Sequence, residues 1–509
     1  MHDAAIEQAY LLIEAAQGQH DAEAVESLDR SAAANGWHDV RLLLHFARSL
    51  ACREMAEDDS GHVDAMLSAA VQLAEPSLLA LSGAVKAARN ADRRRSSMAG
   101  ESAAKLLVDA VVLLDEINPA QPVVHRVAAL IEVANVAHEL GFWELALEYL
   151  TLAERATTDE VTGRWAGTAG RQLLVVTVNR CELMLDWSSA LATIGEWEQA
   201  AALARSALAD SRPAGSHWPP SWIAQYHAQL HLMAILAGIG PPGPAPTNVA
   251  ALGAAIQAAQ AGEVARAAAL ADGPTEHVEV HLPTCTHLLA LSLAARRPGT
   301  TPAALRYGDQ LAALRWNDRL DRMAGMRDAI AVERRRRDHE QLRRALVIDE
   351  LTGLANRRGY HAYLATLDDP DGHGQSTDAE YAAMMIDVDH FKGVNDGFGH
   401  DVGDLVLARL GQILAAEVRQ TDLAARLGGD EFVIILADVG PGVPEARAQQ
   451  ILQAVRTYPW DDLAAGLAVS VSIGVHHGDR RHLPVLLSDA DRNLYQAKNH
   501  GRGRVAVHH

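Results

Sequence analysis

The sequence predicts a multidomain protein: an all-α first half, one long linking helix, and an α/β (α+β) C-terminal part. Three observations carry this. At 509 residues the chain is too long for one hydrophobic core. Up to about residue 295, alanine and leucine dominate and β-branched runs are rare, a composition that favours helix. Beyond residue 349, short apolar runs alternate with helical patterns, as layered α/β and α+β domains require. The expected divisions are 1–297, 298–348 and 349–509.

Charge narrows the class. A formal net charge of −20 argues against binding a nucleic-acid backbone or an acidic membrane surface. Cys52, Cys181 and Cys285 are far apart and fit no metal spacing, so they are expected to be small buried hydrophobes in a reducing compartment. Met1-His2-Asp3 does not open a secretion signal, and no apolar run reaches the ~18 residues of a membrane span. A cytoplasmic location is expected, with no nucleic acid and no membrane span.

In the first division a local pattern recurs. Gly141-Phe142-Trp143 leads into Ala146, Leu150 and Ala153; Gly195-Glu196-Trp197 into Ala200, Ala204 and Ala207; Gly262-Glu263-Val264 into Ala267 and Ala271. Each follows a helical stretch, such as Val127–Leu140 or Leu173–Ile194. Small residues at helical spacing let two helices pack closely. The pattern resembles the tetratricopeptide repeat, a helix pair whose second helix opens with a glycine and an aromatic residue. The glycines are 54 and 67 residues apart, not the ~34 of regular arrays. The resemblance implies an irregular, tetratricopeptide-like solenoid acting as a sensory or regulatory domain. Trp143 and Trp197 are expected to pack helix pairs, whereas Trp218 and Trp222 are candidates for a groove. His227 and His231 are spaced i, i+4, with His217 nearby; lacking a third ligand at a clear spacing, they read as ordinary histidines. Gly238–Pro246 must be a loop.

Thr301-Pro302 suits a helix start. From there to about Ile348 only Gly308 and Gly325 weaken the pattern, and Trp316, Leu320, Met323, Ile330, Leu342 and Leu346 form a patchy apolar stripe. The arginines at 334–337 lie between Glu333 and Asp338 and read as a solvated helix face. One long helix is expected, able to pair with its copy.

In the last division, Tyr381–Asp389 is an apolar strand ending in two aspartates, where sheet ligands bind. The glycine-rich stretch His390–His400 comes next, offering Lys392, Asn395 and backbone N–H groups. Asp401-Val402-Gly403-Asp404 then opens a helix, Leu405–Val418. Gly428-Gly429 reads as a tight hairpin between a weak strand at Asp422–Ala425 and a β-branched one at Val433–Leu436. Asp430 and Glu431 come directly after the turn and point in different directions. Alone, such a turn reads as solvated and acidic. The surrounding blocks change that reading.

Asp349-Glu350-Leu351-Thr352-Gly353-Leu354-Ala355-Asn356-Arg357-Arg358, Asp387-Val388-Asp389-His390-Phe391-Lys392, Asn395-Asp396, Gly399–Asp404, Gly428-Gly429-Asp430-Glu431-Phe432, Val471-Ser472-Ile473-Gly474-Val475 and Leu494-Tyr495-Gln496-Ala497-Lys498 stand in the order and spacing of the GGDEF diguanylate cyclase domain. The resemblance covers about residues 345–507. Tyr360 and Gly503 are its departures, where the family commonly has phenylalanine and often asparagine. It implies a nucleotidyl-cyclase-like fold with a mostly antiparallel sheet. It implies condensation of two GTP into cyclic di-GMP and two pyrophosphates, with Mg²⁺ (or Mn²⁺) as cofactor and a homodimer for catalysis. By the family pattern, Asp387, the Val388 carbonyl and Glu431 hold metal, and Asp430 acts near the 3′-hydroxyl. Asn395 and Asp404 match guanine-reading positions. Lys392, Lys498 and Arg502 match phosphate-binding positions, and Gly428 and Gly429 admit substrate to the backbone. Arg419-Gln420-Thr421-Asp422 resembles an RxxD inhibitory site for the product. A protein or small-molecule partner is expected for the helical domain. The rival reading is a non-catalytic receptor for GTP or cyclic di-GMP, or a scaffold acting through that domain.

Overall fold

The computed structural model describes residues 1–16, 20–91, 99–116, 121–160, 162–212, 218, 220–240, 243–272, 280, 282–367, 380–419, 421–440, 442–479 and 483–507. The chain divides into two compact units, Met1–Arg334 and Arg335–His509. His217, Pro241, Pro242 and Gln420 lie outside the described residues.

The first unit is helical. Its helices are α1 (His2–Ala15), α2 (Ala22–Asn35), α3 (His38–Glu54), α4 (Ser60–Leu73), α5 (Pro76–Ala91), α6 (Ala99–Leu113), α7 (Val123–Glu139), α8 (Trp143–Asp159), α9 (Ala166–Thr193), α10 (Trp197–Ala209), α11 (Pro220–Leu236), α12 (Thr247–Gln260), α13 (Val264–Ala271) and α14 (Thr284–Ala294). The three glycine turns share one geometry. Gly141, Gly195 and Gly262 adopt φ of +81°, +89° and +77°, a left-handed backbone that glycine reaches without steric cost. The next N–H in each case, of Phe142, Glu196 and Glu263, closes back onto the carbonyl of Ala137, Leu191 or Ala258. The glycine N–H groups themselves bond to the carbonyls of His138, Ala192 and Ala259, and this double closure satisfies carbonyls that a helix end leaves orphaned. The irregular spacing has a local cause: α9 runs for 28 residues, and α11 intervenes between the second and third turns.

The alanine stripe packs as its spacing predicts, with Ala146, Ala153, Ala200 and Ala204 fully buried. Trp143 is buried beside Trp187. Trp218 is also buried, against Tyr226, so it lines no open groove. His231 is buried while His227 is exposed. Burial pushes the Cys181 thiol well up, as expected of a cysteine that behaves as a small hydrophobe.

The linking helix is α15 (Pro302–Val347). The Thr301 hydroxyl caps its start by accepting from the Ala304 N–H at 3.3 Å. Met323, Met326 and Ile330 are buried in the core of the first unit, whereas Leu320 is 41% exposed and leaves the expected stripe. Arg319 is buried instead. Its guanidinium lies over Trp143 and Trp316, at 4.6 and 4.5 Å from the ring centroids, and grips both Glu144 oxygens at 2.8 and 3.0 Å. A buried guanidinium is tolerable only when paired in this way. Arg334, read as part of a solvated face, makes a two-pronged bond to Asp115.

The second unit contains α16 (Arg357–Leu367), β1 (Glu380–Val388), α17 (Phe391–Phe398), α18 (His400–Ala416), β2 (Leu423–Gly428), β3 (Glu431–Ala437), α19 (Val443–Thr457), β4 (Val471–Asp479), α20 (Leu483–Asn499) and β5 (Val505–Val507). The sheet order is β2-β3-β1-β4-β5. All neighbours are antiparallel except β4 and β5. Side chains alternate between two cores. Met384, Ile386, Phe432, Ile434, Ile473 and Val475 fill one; Ala383, Val433, Ile435 and Ala490 fill the other. Burying a side chain such as Phe432, which is fully inaccessible, contributes about 1.5–3 kcal/mol. Gly474 has no room for a side chain. A Cβ there would strike the backbone of Ala490 and Leu494, so this glycine lets α20 lie directly on β4.

Candidate functional site

The candidate site gathers at the ends of β1 and β3. Antiparallel register sets Asp387 opposite Glu431. Gly428 ends β2 at φ +150° and Gly429 opens the two-residue turn Gly429-Asp430 at φ +57°. Asp430 therefore lies within the turn rather than after it, and the Val388 N–H donates to the Asp430 carbonyl at 3.3 Å. Lys498, near the end of α20, reaches Asp387 Oδ2 at 2.8 Å. The salt bridge that competes with a phosphate role for Lys498 is thus formed. Asp387 is 8% exposed. Burial raises its pKa; the Lys498 ammonium opposes the rise, and the Asp430 and Glu431 carboxylates add to it.

That environment bears on a divalent cation. Asp387 lies near two further acidic side chains, in a place where desolvation already disfavours its charge. A positive ligand relieves both effects. Among the described residues no three His, Cys, Asp or Glu side chains form a group able to hold a metal. Mg²⁺ does not need such a cage, because it keeps one or two carboxylates and takes its other ligands from water and phosphate oxygens. Asp387, Glu431 and the Val388 carbonyl fit that requirement.

Within the glycine-rich stretch after β1, residues Phe391–Phe398 form α17. His390 precedes it at φ +55°, turning the chain away from the strand. Lys392 is exposed on α17, and Asp404 is exposed on α18. Asn395 is half-buried. Its carboxamide lies where a Cβ on Gly403 would be, so Gly403 provides the space that seats it. Arg502 is exposed, at φ +59°, in the turn between α20 and β5.

Arg419 and Asp422 stand apart from this group, at the far end of β2. Gly428 is six residue steps along the strand from Asp422, roughly 20 Å. Asp422 accepts from the Arg419 N–H at 2.8 Å and from the Ala437 N–H at 3.1 Å, tying the turn to β3. The Arg419 side chain is exposed.

Two residues carry more of the site than the sequence suggested. Arg426 donates through Nε to the Gly429 carbonyl at 2.9 Å and through a terminal nitrogen to Asp349. Asp389 receives donors from Ser470 just before β4, from Ser472 in β4 and from the turn that carries Arg502. Their signal in the sequence was position alone: a charge beside the paired glycines, and a second aspartate at a strand end.

The pattern that defines the family described as "Diguanylate cyclase, GGDEF domain" matches residues 346–504. The second unit contains a GGDEF domain. Two curated relatives and one solved structure show the extent of the likeness. The response regulator PleD of Caulobacter vibrioides is 40% identical over 164 residues, 31% of this chain and 35% of PleD. Diguanylate cyclase DgcM of Escherichia coli is 36% identical over 177 residues, 34% of this chain and 41% of DgcM. The chain thus spans less than half of either relative. The coiled coil and GGDEF domain of DgcB from Caulobacter crescentus, solved in complex with c-di-GMP, is 30% identical. That match covers 36% of this chain and 98% of the DgcB chain, with a TM-score of 0.32. Among the described residues no helix is long and apolar enough to cross a membrane.

Proposed function

We propose that this protein is a diguanylate cyclase that condenses two GTP into cyclic di-GMP. The observation that carries the reading is the pairing of Asp387 with Glu431 across the strand ends, beside the Gly428-Gly429 turn. In each of two steps a ribose 3′-oxygen bonds to an α-phosphorus. The bond from that phosphorus to the β-phosphate oxygen breaks, and pyrophosphate leaves. Asp430 takes the hydroxyl proton. Asp387, Glu431 and the Val388 carbonyl would hold Mg²⁺ or Mn²⁺, which neutralises phosphate charge and lowers the pKa of the nucleophile. Lys392, Lys498 and Arg502 hold phosphates, and Gly428 and Gly429 let the backbone approach them. Asn395 and Asp404 read guanine: an aspartate accepts from the N1–H and N2–H that adenine lacks.

Each GGDEF domain binds one GTP, so two must face each other in a homodimer, with the reaction in the cytoplasm. Residues 1–297 act as a tetratricopeptide-like regulatory domain that takes a protein or small-molecule partner, and 298–348 link it to the catalytic domain at 349–509. Product binds at Arg419 and Asp422 and restrains turnover. The shared turn geometry at Gly141, Gly195 and Gly262 supports the repeat reading.

The test is direct. Purified full-length protein with GTP and Mg²⁺ should form cyclic di-GMP, and Glu431→Ala and Asp387→Ala should abolish it. Near-full activity in Glu431→Ala would sink the mechanism. Arg419→Ala should keep turnover while losing inhibition by cyclic di-GMP.

A further inference from the structure

Asp389 is a carboxylate that the proposed chemistry does not use. It stands directly after β1, two residues from Asp387, and is 6% exposed. Its Oδ1 accepts from the Ser472 hydroxyl at 2.6 Å. Its Oδ2 accepts from the Ser470 hydroxyl at 2.7 Å and from the Gly503 N–H at 2.8 Å. Its own N–H donates to the Ser470 carbonyl at 2.9 Å. Burying a charge is costly unless hydrogen bonds satisfy it. Here the donors are two hydroxyls and one backbone N–H, so the charge is spent on holding backbone in place.

The backbone it holds carries Arg502. That residue sits at φ +59°, a conformation unfavourable for any side chain but glycine. Its N–H donates to the Ala497 carbonyl at 3.1 Å. On its other side, Gly503 is gripped twice: its N–H by Asp389, and its carbonyl by the Arg456 guanidinium. The Ile473 N–H then bonds to the Arg504 carbonyl at 2.9 Å, and β5 begins. The strained residue is therefore pinned on both sides while its side chain is left exposed.

We infer that Asp389 is a positioning residue that fixes the Arg502 turn relative to Asp387, so that the phosphate-binding arginine and the metal-binding carboxylate share one frame. The inference rests on the proposed cyclase reading for the roles of Arg502 and Asp387. Its physical content is that a carboxylate at the end of β1 sets where Arg502 is held. Removing the carboxylate should free the turn and deprive the triphosphate of a fixed cation, with Asp387 untouched.

The test is a double-mutant cycle on the full-length protein. Affinity for a non-hydrolysable GTP analogue is measured alongside KM and kcat for GTP. Asp389→Ala should weaken analogue binding and raise KM on the order of tenfold, with a smaller fall in kcat. Arg502→Ala should do the same. The double variant should be no worse than Arg502→Ala alone, because Asp389 acts through Arg502. Asp389→Asn, which keeps the shape and one acceptor oxygen, should fall between wild type and Asp389→Ala, with an unchanged thermal midpoint. Multiplying effects in the double variant, or a loss confined to kcat, would overturn the inference. If Asp389→Ala does not fold, the cycle is run with Asp389→Asn on the same criterion. A wild-type protein that binds the analogue but forms no cyclic di-GMP overturns the cyclase reading; the affinity cycle still decides the role of Asp389.

Discussion

The Arg426 guanidinium donates to both carboxylate oxygens of Asp349, at 3.2 and 3.3 Å. Asp349 lies two residues beyond the end of α15 and accepts from the Thr352 N–H and hydroxyl at 3.0 and 2.7 Å. Burial opposes the charge on Asp349, but the Thr352 hydrogen bonds and the arginine hold its pKa below the ordinary value. The same arginine grips the Gly429 carbonyl. One side chain thus joins the exit of the linking helix to the glycine turn.

Arg426→Ala should therefore loosen a turn that has almost no side chains of its own. Turnover should fall by roughly tenfold to a hundredfold, as when a remote change misplaces reacting groups. Arg426→Lys should recover part of it, because one ammonium cannot reproduce a two-pronged grip. Initial rates of cyclic di-GMP formation at saturating GTP decide the matter. Wild-type rates in Arg426→Ala would show that the turn holds itself.

Gly403 makes a second, sharper prediction. A methyl group there would collide with the Asn395 carboxamide, while Asp404, the other residue proposed to read guanine, keeps its place on α18. Gly403→Ala should raise KM for GTP on the order of tenfold, the cost of losing a hydrogen bond in a closed site. Helix propensity favours the change, so the thermal midpoint should fall little. An unchanged KM would remove Asn395 from the substrate site.

How much of this was legible depended on what each residue touches. The strand at Tyr381–Asp389 and that at Val433–Leu436 announced themselves through consecutive apolar or β-branched side chains. β2 was faint because Ala424 and Ala425 carry little β preference, yet β3 pairs with it from Leu423 to Arg426 and again at Gly428. β5 has three residues, too few for any periodicity. The Thr301-Pro302 start was readable because capping is local. Arg319 was not, because its partners Trp143 and Glu144 are more than 170 residues away and a stripe sought among apolar residues passes over a buried arginine. Asp387 and Glu431 were found by motif; their register, and the Lys498 bridge, needed the fold.

The histidine at position 125 yields a pH prediction for the helical unit. His125 is 2% exposed. Its Nδ1 is 2.8 Å from the Tyr10 hydroxyl, and its Nε2 is 4.0 Å from Asp39. Burial pushes its pKa down to about 4; Asp39 opposes the shift and His2 adds to it. The unfolded chain takes the proton near pH ~6.5, and the fold resists it until about 4. Stability is then complete above ~6.5 and is lost as pH falls through 4, because the unfolded state binds more protons in that window. His45 and His62, also depressed by burial, act in the same direction. His125→Gln should lower the thermal midpoint at pH 7.5 yet flatten its decline toward pH 4. Parallel declines in the two proteins would assign the acid sensitivity elsewhere.

The last prediction concerns coupling through α15. The helix runs unbroken across the boundary between the two compact units. Ile330 and Arg334 anchor it in the first unit. In the second, the Leu346 carbonyl accepts from the Asn356 carboxamide at 3.1 Å and the Val347 carbonyl from the Asn356 N–H at 2.8 Å. Asp338, His339, Glu340 and Gln341 are exposed between these anchors, so an insertion between His339 and Glu340 disturbs neither end. Each added alanine rotates the downstream chain by ~100° and lifts it by ~1.5 Å. In the proposed homodimer, one or two alanines should turn the paired active sites away from each other. Seven should restore their facing direction to within ~20°. Initial rates are measured for insertions of one to seven residues, at concentrations where the wild type is dimeric. A minimum at short insertions and recovery at seven is expected. A flat series would mean that α15 transmits no orientation, leaving the helical unit to act by raising the local concentration of cyclase domains.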